Sequence, residues 1–360
     1  MKAAILRQVN VPMKIEEVEL LDPREGEVKV AMTATGICHS CLHVIDGSLP
    51  GIQLPMVLGD EGAGVVTAIG PGVTNVKVGD HIIVSWSPTC GRCKYCVSGR
   101  PVLCTNQPPF GFLGDGTTRM KIGKEDILHF GPATYATENV IPASCAIPID
   151  SKMPLDMAAL IGCSVMTGVG AVTQTANVPA GASLAVFGCG GIGLNSIQGG
   201  VIAGASKIIA IDISDEKLKT AASLGATHLV RADKNAIEEI IKITNGGVDY
   251  AVVAVGNNKA LGQAWESLAP GGTCVSLALY PPDQKMDLDP NKFAAKELKL
   301  IGSRYGSARP SIDFATMVDL YMSGKLKLSE LVSKRYGFDE INEAHRALAA
   351  GESARTIVVF

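Results

Sequence analysis

Between residues 183 and 276, apolar runs of strand length alternate with polar segments of helical period. The runs are SLAVFG, KIIAID, DYAVVAV and TCVSLAL, and DEKLKTAASLG and NAIEEIIKITNG lie among them. Strands without a polar face are covered on both sides, and strands separated by helices assemble into a parallel sheet. Residues 1–150 carry a different pattern, the short β-type runs EVKVAMTATG, AGVVTAIGPGV, DHIIVSW and ATENVIPA broken by Gly, Pro and Asp. Turn signals at such spacing predict a barrel-like β domain. Beyond about residue 296 short strands return, with amphipathic helices at DFATMVDLYMSG and FDEINEAHRALAAG and a final strand, TIVVF. At 360 residues the chain is long enough for two domains with proper cores. The expected division is an α/β domain with a doubly wound parallel sheet over 154–296, inserted between the two parts, 1–153 and 297–360, of a β-rich domain.

The strand SLAVFG runs directly into Gly188-Cys189-Gly190-Gly191-Ile192-Gly193 and then a helix. Glycines there permit a tight turn, close approach of backbone to a pyrophosphate and close helix–sheet packing. The phosphates then meet free N–H groups and the positive end of a helix dipole. KIIAID ends in Asp212, near the distance expected for a ribose-binding acid. A carboxylate accepts both ribose hydroxyls and repels a 2′-phosphate, so NAD is expected in preference to NADP. Lys217 stands close enough in sequence to approach the adenosine ribose, and a solvated helix face is an equal reading of it.

Four cysteines, Cys90, Cys93, Cys96 and Cys104, fall within the run CGRCKYCVSGRPVLC. Their gaps let four thiolates converge on one tetrahedral cation. A Cys₄ set leaves zinc no open position, so that ion is structural. A net charge of −3 and the absence of any basic cluster argue against nucleic acid or an anionic membrane as partner. No run of 18 apolar residues is evident, so neither a signal peptide nor a spanning helix is expected. Ten cysteines then read as reduced thiols and metal ligands in a cytoplasmic protein.

A further cluster is discontinuous: GICHSCLH over 36–43, GDEG over 59–62, and IGC over 161–163. With the Cys₄ run and the glycine loop, these residues make the chain resemble the zinc-dependent alcohol dehydrogenases of the medium-chain dehydrogenase/reductase superfamily. The resemblance runs over essentially all 360 residues and includes GTTRMKIGKEDILHF and GESARTIVVF, which look like stretches of the liver and benzyl alcohol dehydrogenases. It implies a Rossmann domain inserted in a GroES-like catalytic domain, zinc and NAD as cofactors, and a small alcohol or aldehyde as substrate. It also implies a homodimer or homotetramer, with TCVSLAL similar to the segment that pairs across family dimers.

By the same resemblance Cys38 and Cys163 match the two thiolate ligands of a catalytic zinc. Asp60 stands where the family has its ligand histidine, and Cys41 where it has the aspartate that orients that ring. The two departures are coupled, because without an imidazole the orienting acid has nothing to hold. Carboxylate is an accepted zinc ligand, and two thiolates with Asp60 place a formal −3 around the ion, which weakens it as a Lewis acid. Glu61 or Cys41 completing the set, or loss of this zinc, are the alternatives. Ser40 matches the hydroxyl that bonds the substrate oxygen, and His43 the histidine that passes the proton to solvent. His39 and Arg355 match pyrophosphate-binding positions, and Trp86 an aromatic position in the substrate pocket.

The expected activity is zinc-assisted hydride transfer between NAD and an apolar or aromatic primary alcohol. A zinc-independent reductase of an activated C=C or iminium bond and a non-catalytic nucleotide-binding protein are the other readings. Loss of the ligand histidine favours the first, and joint retention of Cys38, Ser40, His43 and Cys163 argues against the second.

Overall fold

A computed structural model of the chain describes residues 1–281, 284–286, 288–352 and 355–360. Ser353 and Ala354 of the terminal motif GESARTIVVF lie outside the described residues. The chain divides into two compact units, Met1–Cys163 with Arg309–Phe360, and Ser164–Ala308.

The first unit is built on two sheets. One runs in the order Ala146–Pro148, His81–Val84, Gly62–Ile69, Glu27–Gly36, Arg355–Val359, Val332–Gly337, with Glu138–Pro142 also paired to Glu27–Gly36. The long strand Glu27–Gly36 is the axis of this unit. Its inward residues Val28, Val30, Met32 and Ala34 are buried, as period-two alternation demands. The terminal strand Arg355–Val359 lies antiparallel to it, Ile357 opposite Gly36, and so ties the last residues to the first unit. The other sheet orders Lys14–Glu17, Lys2–Leu6, Met56–Val57, Glu125–His129, Met120–Ile122 and Glu19–Leu20. Ile5, Leu6, Met56, Leu58, Tyr135, Ile341 and Val358 fill the core between these strands and the helix Ile341–Ala349.

The second unit is a parallel sheet of six strands in the order His228–Arg231, Lys207–Asp212, Ser183–Phe187, Val248–Val253, Leu268–Ser276, Lys299–Gly302. Order reversal about Ser183–Phe187 makes this a doubly wound sheet, with the glycine loop at the carboxyl end of the switch strand.

Both boundaries fall later than sequence patterning places them. The helix Leu155–Leu160 packs on Glu27–Gly36, Gly62–Ile69 and His81–Val84, so the first unit extends to Cys163. The strand Lys299–Gly302 extends the parallel sheet beyond residue 297. It is four residues long and largely exposed, and a sheet edge of that kind carries little periodic signal. TCVS belongs to the strand Leu268–Ser276, which is hydrogen-bonded on both sides, and its backbone is therefore not free to pair with a second copy. The open edges of that sheet, among the described residues, are His228–Arg231 and Lys299–Gly302.

Composition also conceals one apolar helix. Leu155–Thr175 is helical for 21 residues with a mean hydropathy of 1.7, enough by length and composition to cross a membrane. It is 89% buried within the protein, as a core helix is. Glycine, serine and threonine interrupt its hydrophobic residues and mask the run in the sequence.

His129 is buried in the first unit, its Nε2 2.8 Å from the Thr118 hydroxyl. Burial, with the nearby Arg119 charge, pushes its pKa down to about 4. The folded value is depressed, so the unfolded chain binds the extra proton, and stability present above pH ~6.5 is lost as pH falls toward 4. One such histidine contributes a slope of up to about 1.4 kcal/mol per pH unit. Urea unfolding between pH 7 and pH 5 is expected to show a shallower pH dependence in His129→Asn than in the parent.

Candidate metal centres and nucleotide loop

The four cysteines at 90–104 meet around a common point. Sγ–Sγ separations are 3.5 Å for Cys93–Cys96, 3.9 Å for Cys93–Cys104 and 4.0 Å for Cys90–Cys96. A disulfide needs about 2.05 Å, whereas the edge of a ZnS₄ tetrahedron with 2.3 Å bonds is about 3.8 Å. All four are free thiols. Backbone N–H groups support the sulfurs, with Cys93 N–H donating to Cys90 Sγ at 3.3 Å. Such donors favour a thiolate and draw the Cys93 pKa down to about 5, while burial leads among the causes that push Cys96 up to about 12. The donor set fits one closed, structural zinc ion.

The second cluster joins three distant stretches of the first unit. Cys38 precedes the helix His39–Ile45, Cys163 lies in a π-type turn, Ile161–Val165, and Asp60 follows the strand Met56–Val57. Gly59 makes the approach possible. Its φ is +108°, and a Cβ there would meet the Thr134 backbone and the Tyr135 ring. A π-turn is a common device for re-aiming a functional side chain out of a helix.

Cys38 Sγ lies 3.9 Å from Cys163 Sγ, and Cys163 Sγ lies 3.6 Å from Asp60 Oδ2. The three residues are buried, with their ligand atoms within 4.8 Å of one another. Burial raises the Asp60 pKa, while its hydrogen bond with Cys38 and the charge of Arg355 oppose that shift. Its hydrogen bond with Cys38, followed by burial, pushes the Cys163 thiol well up. Two groups that resist ionisation, Asp60 and Cys163, converging with a further thiol in a dry place, are what a divalent cation stabilises. Two soft sulfurs and one oxygen suit zinc, and a fourth position is left for a ligand from outside the trio.

The remaining residues singled out in the sequence distribute around this trio. Ser40 Oγ stands 3.4 Å from Cys38 Sγ. His43 is on the same helix, its Nδ1 2.8 Å from the Ser48 hydroxyl, a partner sequence reasoning did not name. Glu61 is fully buried and pairs with Arg355, which also donates to the Ile37 carbonyl. Arg355 therefore stands behind the trio as a buried cation. His39 is exposed at the helix start, and Trp86 is half-buried beside Gly131.

Cys41 has a position that sequence reasoning left open. It is fully buried, and its Sγ donates to Asp60 Oδ1 at 3.8 Å. Burial pushes its pKa well up, so it is a thiol that backs the carboxylate. Cys41, one of the alternatives for completing the ligand set, faces Asp60 Oδ1, the oxygen turned away from Cys163.

In the second unit Gly188 has φ +92° at the end of Ser183–Phe187, and Gly190 caps the helix Gly191–Ala203. A Cβ on Gly193 would collide with the Gly188 carbonyl, whereas one on Gly190 would meet nothing within 4 Å. The open side of the loop is therefore the helix N-terminus, the side an anion needs. Asp212 Oδ2 accepts the Cys189 N–H at 2.7 Å and Oδ1 the Ser214 N–H at 2.9 Å. Each oxygen keeps a further lone pair. Lys217 is half-buried in the first turn of Asp215–Ser223, its backbone N–H directed at the Ser214 hydroxyl. The loop and its acid fit a dinucleotide.

Two family models match this chain, an alcohol dehydrogenase GroES-like domain over residues 24–151 and a zinc-binding dehydrogenase over residues 191–323. The NDMA-dependent alcohol dehydrogenase of Amycolatopsis methanolica is 38% identical, over 99% of this chain and 98% of its own length. The S-(hydroxymethyl)glutathione dehydrogenase of Saccharomyces cerevisiae is 36% identical over 99% and 95%. Among solved structures, benzyl alcohol dehydrogenase from Acinetobacter calcoaceticus has a TM-score of 0.95 at 30% identity, covering 100% of this chain and 99% of that one. The chain belongs to the zinc-type alcohol dehydrogenases, with a GroES-like unit and a Rossmann-like unit, and is an oxidoreductase.

Cys104→Ser is expected to lower zinc content by one ion per chain and to open the segment 90–106 to trypsin at Arg92 and Lys94. Elemental analysis with limited digestion checks both.

Proposed function

We propose that this enzyme interconverts an apolar or aromatic primary alcohol and its aldehyde with NAD, using a zinc ion held by Cys38, Asp60 and Cys163. The carrying observation is the buried convergence of those three side chains. Bound zinc supplies Lewis acidity at the substrate oxygen, and the nicotinamide carries the hydride. What the chain itself supplies is position and proton handling. The Ser40 hydroxyl, beside Cys38, is placed to take a hydrogen bond from an alcohol and relay its proton. His43, held by Ser48, is the receiving base on the solvent side of the same helix. These two are not hydrogen-bonded to each other among the described residues, so a hydroxyl from the cofactor ribose is the proposed link.

Asp212 would accept the adenosine ribose hydroxyls and disfavour a 2′-phosphate, with Lys217 nearby. The glycine loop would take the pyrophosphate. His39 and Arg355 are proposed to add positive charge there, Arg355 to a smaller degree because Glu61 already pairs with it. Trp86 is proposed as an apolar wall for the substrate. The relatives named for benzyl alcohol and for S-(hydroxymethyl)glutathione act on hydroxymethyl compounds, which supports a primary alcohol. A homodimer or homotetramer and a cytoplasmic location complete the proposal.

Purified protein is expected to carry two zinc ions per chain and to reduce NAD with benzyl alcohol. One ion per chain with full alcohol turnover would sink the three-residue site, and one ion with reduction of an activated C=C or iminium bond would support the reductase instead. Asp212→Asn is expected to raise KM for NAD roughly tenfold and to narrow the preference over NADP, since a charged hydrogen bond of about 1.5–3 kcal/mol is weakened. Asp60→His alone is expected to leave alcohol oxidation low, and Asp60→His with Cys41→Asp to recover part of it. Equal rates for the two would refute the coupling.

A further inference from the structure

Behind Asp60 a line of polar groups runs through an otherwise apolar core. Cys41, Tyr135 and His345 are all buried, Tyr135 among Leu58, Val44 and Ile341 in the main core cluster of the first unit. The contacts are consecutive. Cys41 Sγ donates to Asp60 Oδ1 at 3.8 Å. The Tyr135 hydroxyl lies next to the Cys41 sulfur in the same core cluster. His345 Nε2 lies 3.1 Å from the Tyr135 hydroxyl, with the two rings edge to face at 5.4 Å.

The direction of these bonds can be assigned. A carboxylate accepts and does not donate, so the thiol proton of Cys41 points at Asp60. The sulfur is then free to accept, and the Tyr135 O–H points at Cys41. The Tyr135 oxygen accepts in turn, so His345 presents Nε2–H, and its Nδ1 is the lone-pair end. That nitrogen is buried and has no hydrogen-bond partner, as the last acceptor of a one-way chain would. The opposite tautomer would turn the Tyr135 O–H onto His345 Nε2, leave Nδ1–H as a buried donor without a partner and take the donor away from the Cys41 sulfur. Every donor thus points toward Asp60, and each bond polarises the next.

We propose that Cys41, Tyr135 and His345 are positioning residues that hold the Asp60 carboxylate, by a one-way chain of donors, in the orientation that presents Oδ2 to a cation shared with Cys38 and Cys163. The inference rests on the zinc site proposed above. A ligand that binds through one oxygen leaves the other facing the protein as an acceptor, and this core supplies a donor there where an acceptor would repel. Packing alone does not explain three polar groups in such a place, since an unsatisfied one costs about 1–3 kcal/mol. Outer partners of this kind are typically worth 10–100-fold in metal affinity.

The test uses full-length holoprotein and zinc itself, with dialysis against a graded chelator and elemental analysis as readout. Cobalt-substituted protein gives a second readout in its visible absorption. The parent is expected to hold two ions. Cys41→Ala and Tyr135→Phe are expected to release one of them at a chelator strength 10–100-fold lower, while the ion of Cys90, Cys93, Cys96 and Cys104 stays and reports an intact fold. Cys41→Ser, which restores a donor without restoring the volume of sulfur, is expected to recover most of the loss and the cobalt spectrum. His345→Phe is expected to give a smaller loss, being two bonds removed. If Cys41→Ala and Cys41→Ser release the ion alike, or both match the parent, the donor chain is wrong although the zinc site stands. A parent that holds one ion overturns the site and this inference together.

Discussion

Three acidic side chains forced together away from water are the constraint on which the first unit turns. Cys38, Asp60 and Cys163 are separated by long stretches of chain, and each reaches the cluster by a different device. One caps a helix, one follows a glycine with a left-handed backbone, and one rides on a π-turn of an apolar helix. Bringing even two ionised groups into a medium of low dielectric is costly without a partner of opposite charge. Arg355 offers one such charge and is itself shared with Glu61, so its neutralising effect on the trio is partial. A divalent ion is the simplest remaining compensation, and the sulfur-rich donor set selects which ion.

The parts legible in the sequence are those whose physics is local. Continuous apolar strands, the strand–glycine–helix turn and four closely spaced cysteines each state their geometry within a few residues. The strands Glu27–Gly36 and Lys207–Asp212 fall where period and turn residues place them. The parts that escaped depend on contacts between distant residues. Lys299–Gly302 has too little periodicity to announce itself as a sheet edge, and Leu155–Thr175 conceals its apolarity behind small polar residues. Tyr135 and His345 gave no signal at all. An aromatic residue and a histidine in amphipathic surroundings look like ordinary core, and their shared line to Cys41 exists only once the chain has folded.

Coupling between positions 41 and 60 is more specific in space than along the chain. Read in one dimension, the absence of histidine at 60 removes the need for an acid at 41. In three dimensions position 41 still faces the outer atom of residue 60, and that atom has changed from a donor to an acceptor. An imidazole bound through one nitrogen turns an N–H toward the protein, whereas a carboxylate bound through one oxygen turns a lone pair. The group behind it must therefore reverse polarity, and aspartate at 41 would have set two carboxylates against each other at hydrogen-bonding distance. Cysteine solves this with a small, weakly polar donor that tolerates burial.

The same reversal bears on how the site carries charge. With aspartate behind a ligand histidine, the outer residue adds a full negative charge at one remove from the ion. With a thiol behind a ligand aspartate, that charge moves onto the ligand itself and the outer shell becomes neutral. Counted over both layers the formal charge is unchanged, two thiolates and one carboxylate in either arrangement, but it would stand closer to a cation bound in this protein. Coulomb energy falls with distance, and at short range in a dry interior the difference is not screened by salt. An ion at this site would accordingly be held by a harder, more anionic inner layer, and a reduced pull on substrate oxygen would be the counterpart of that closer charge.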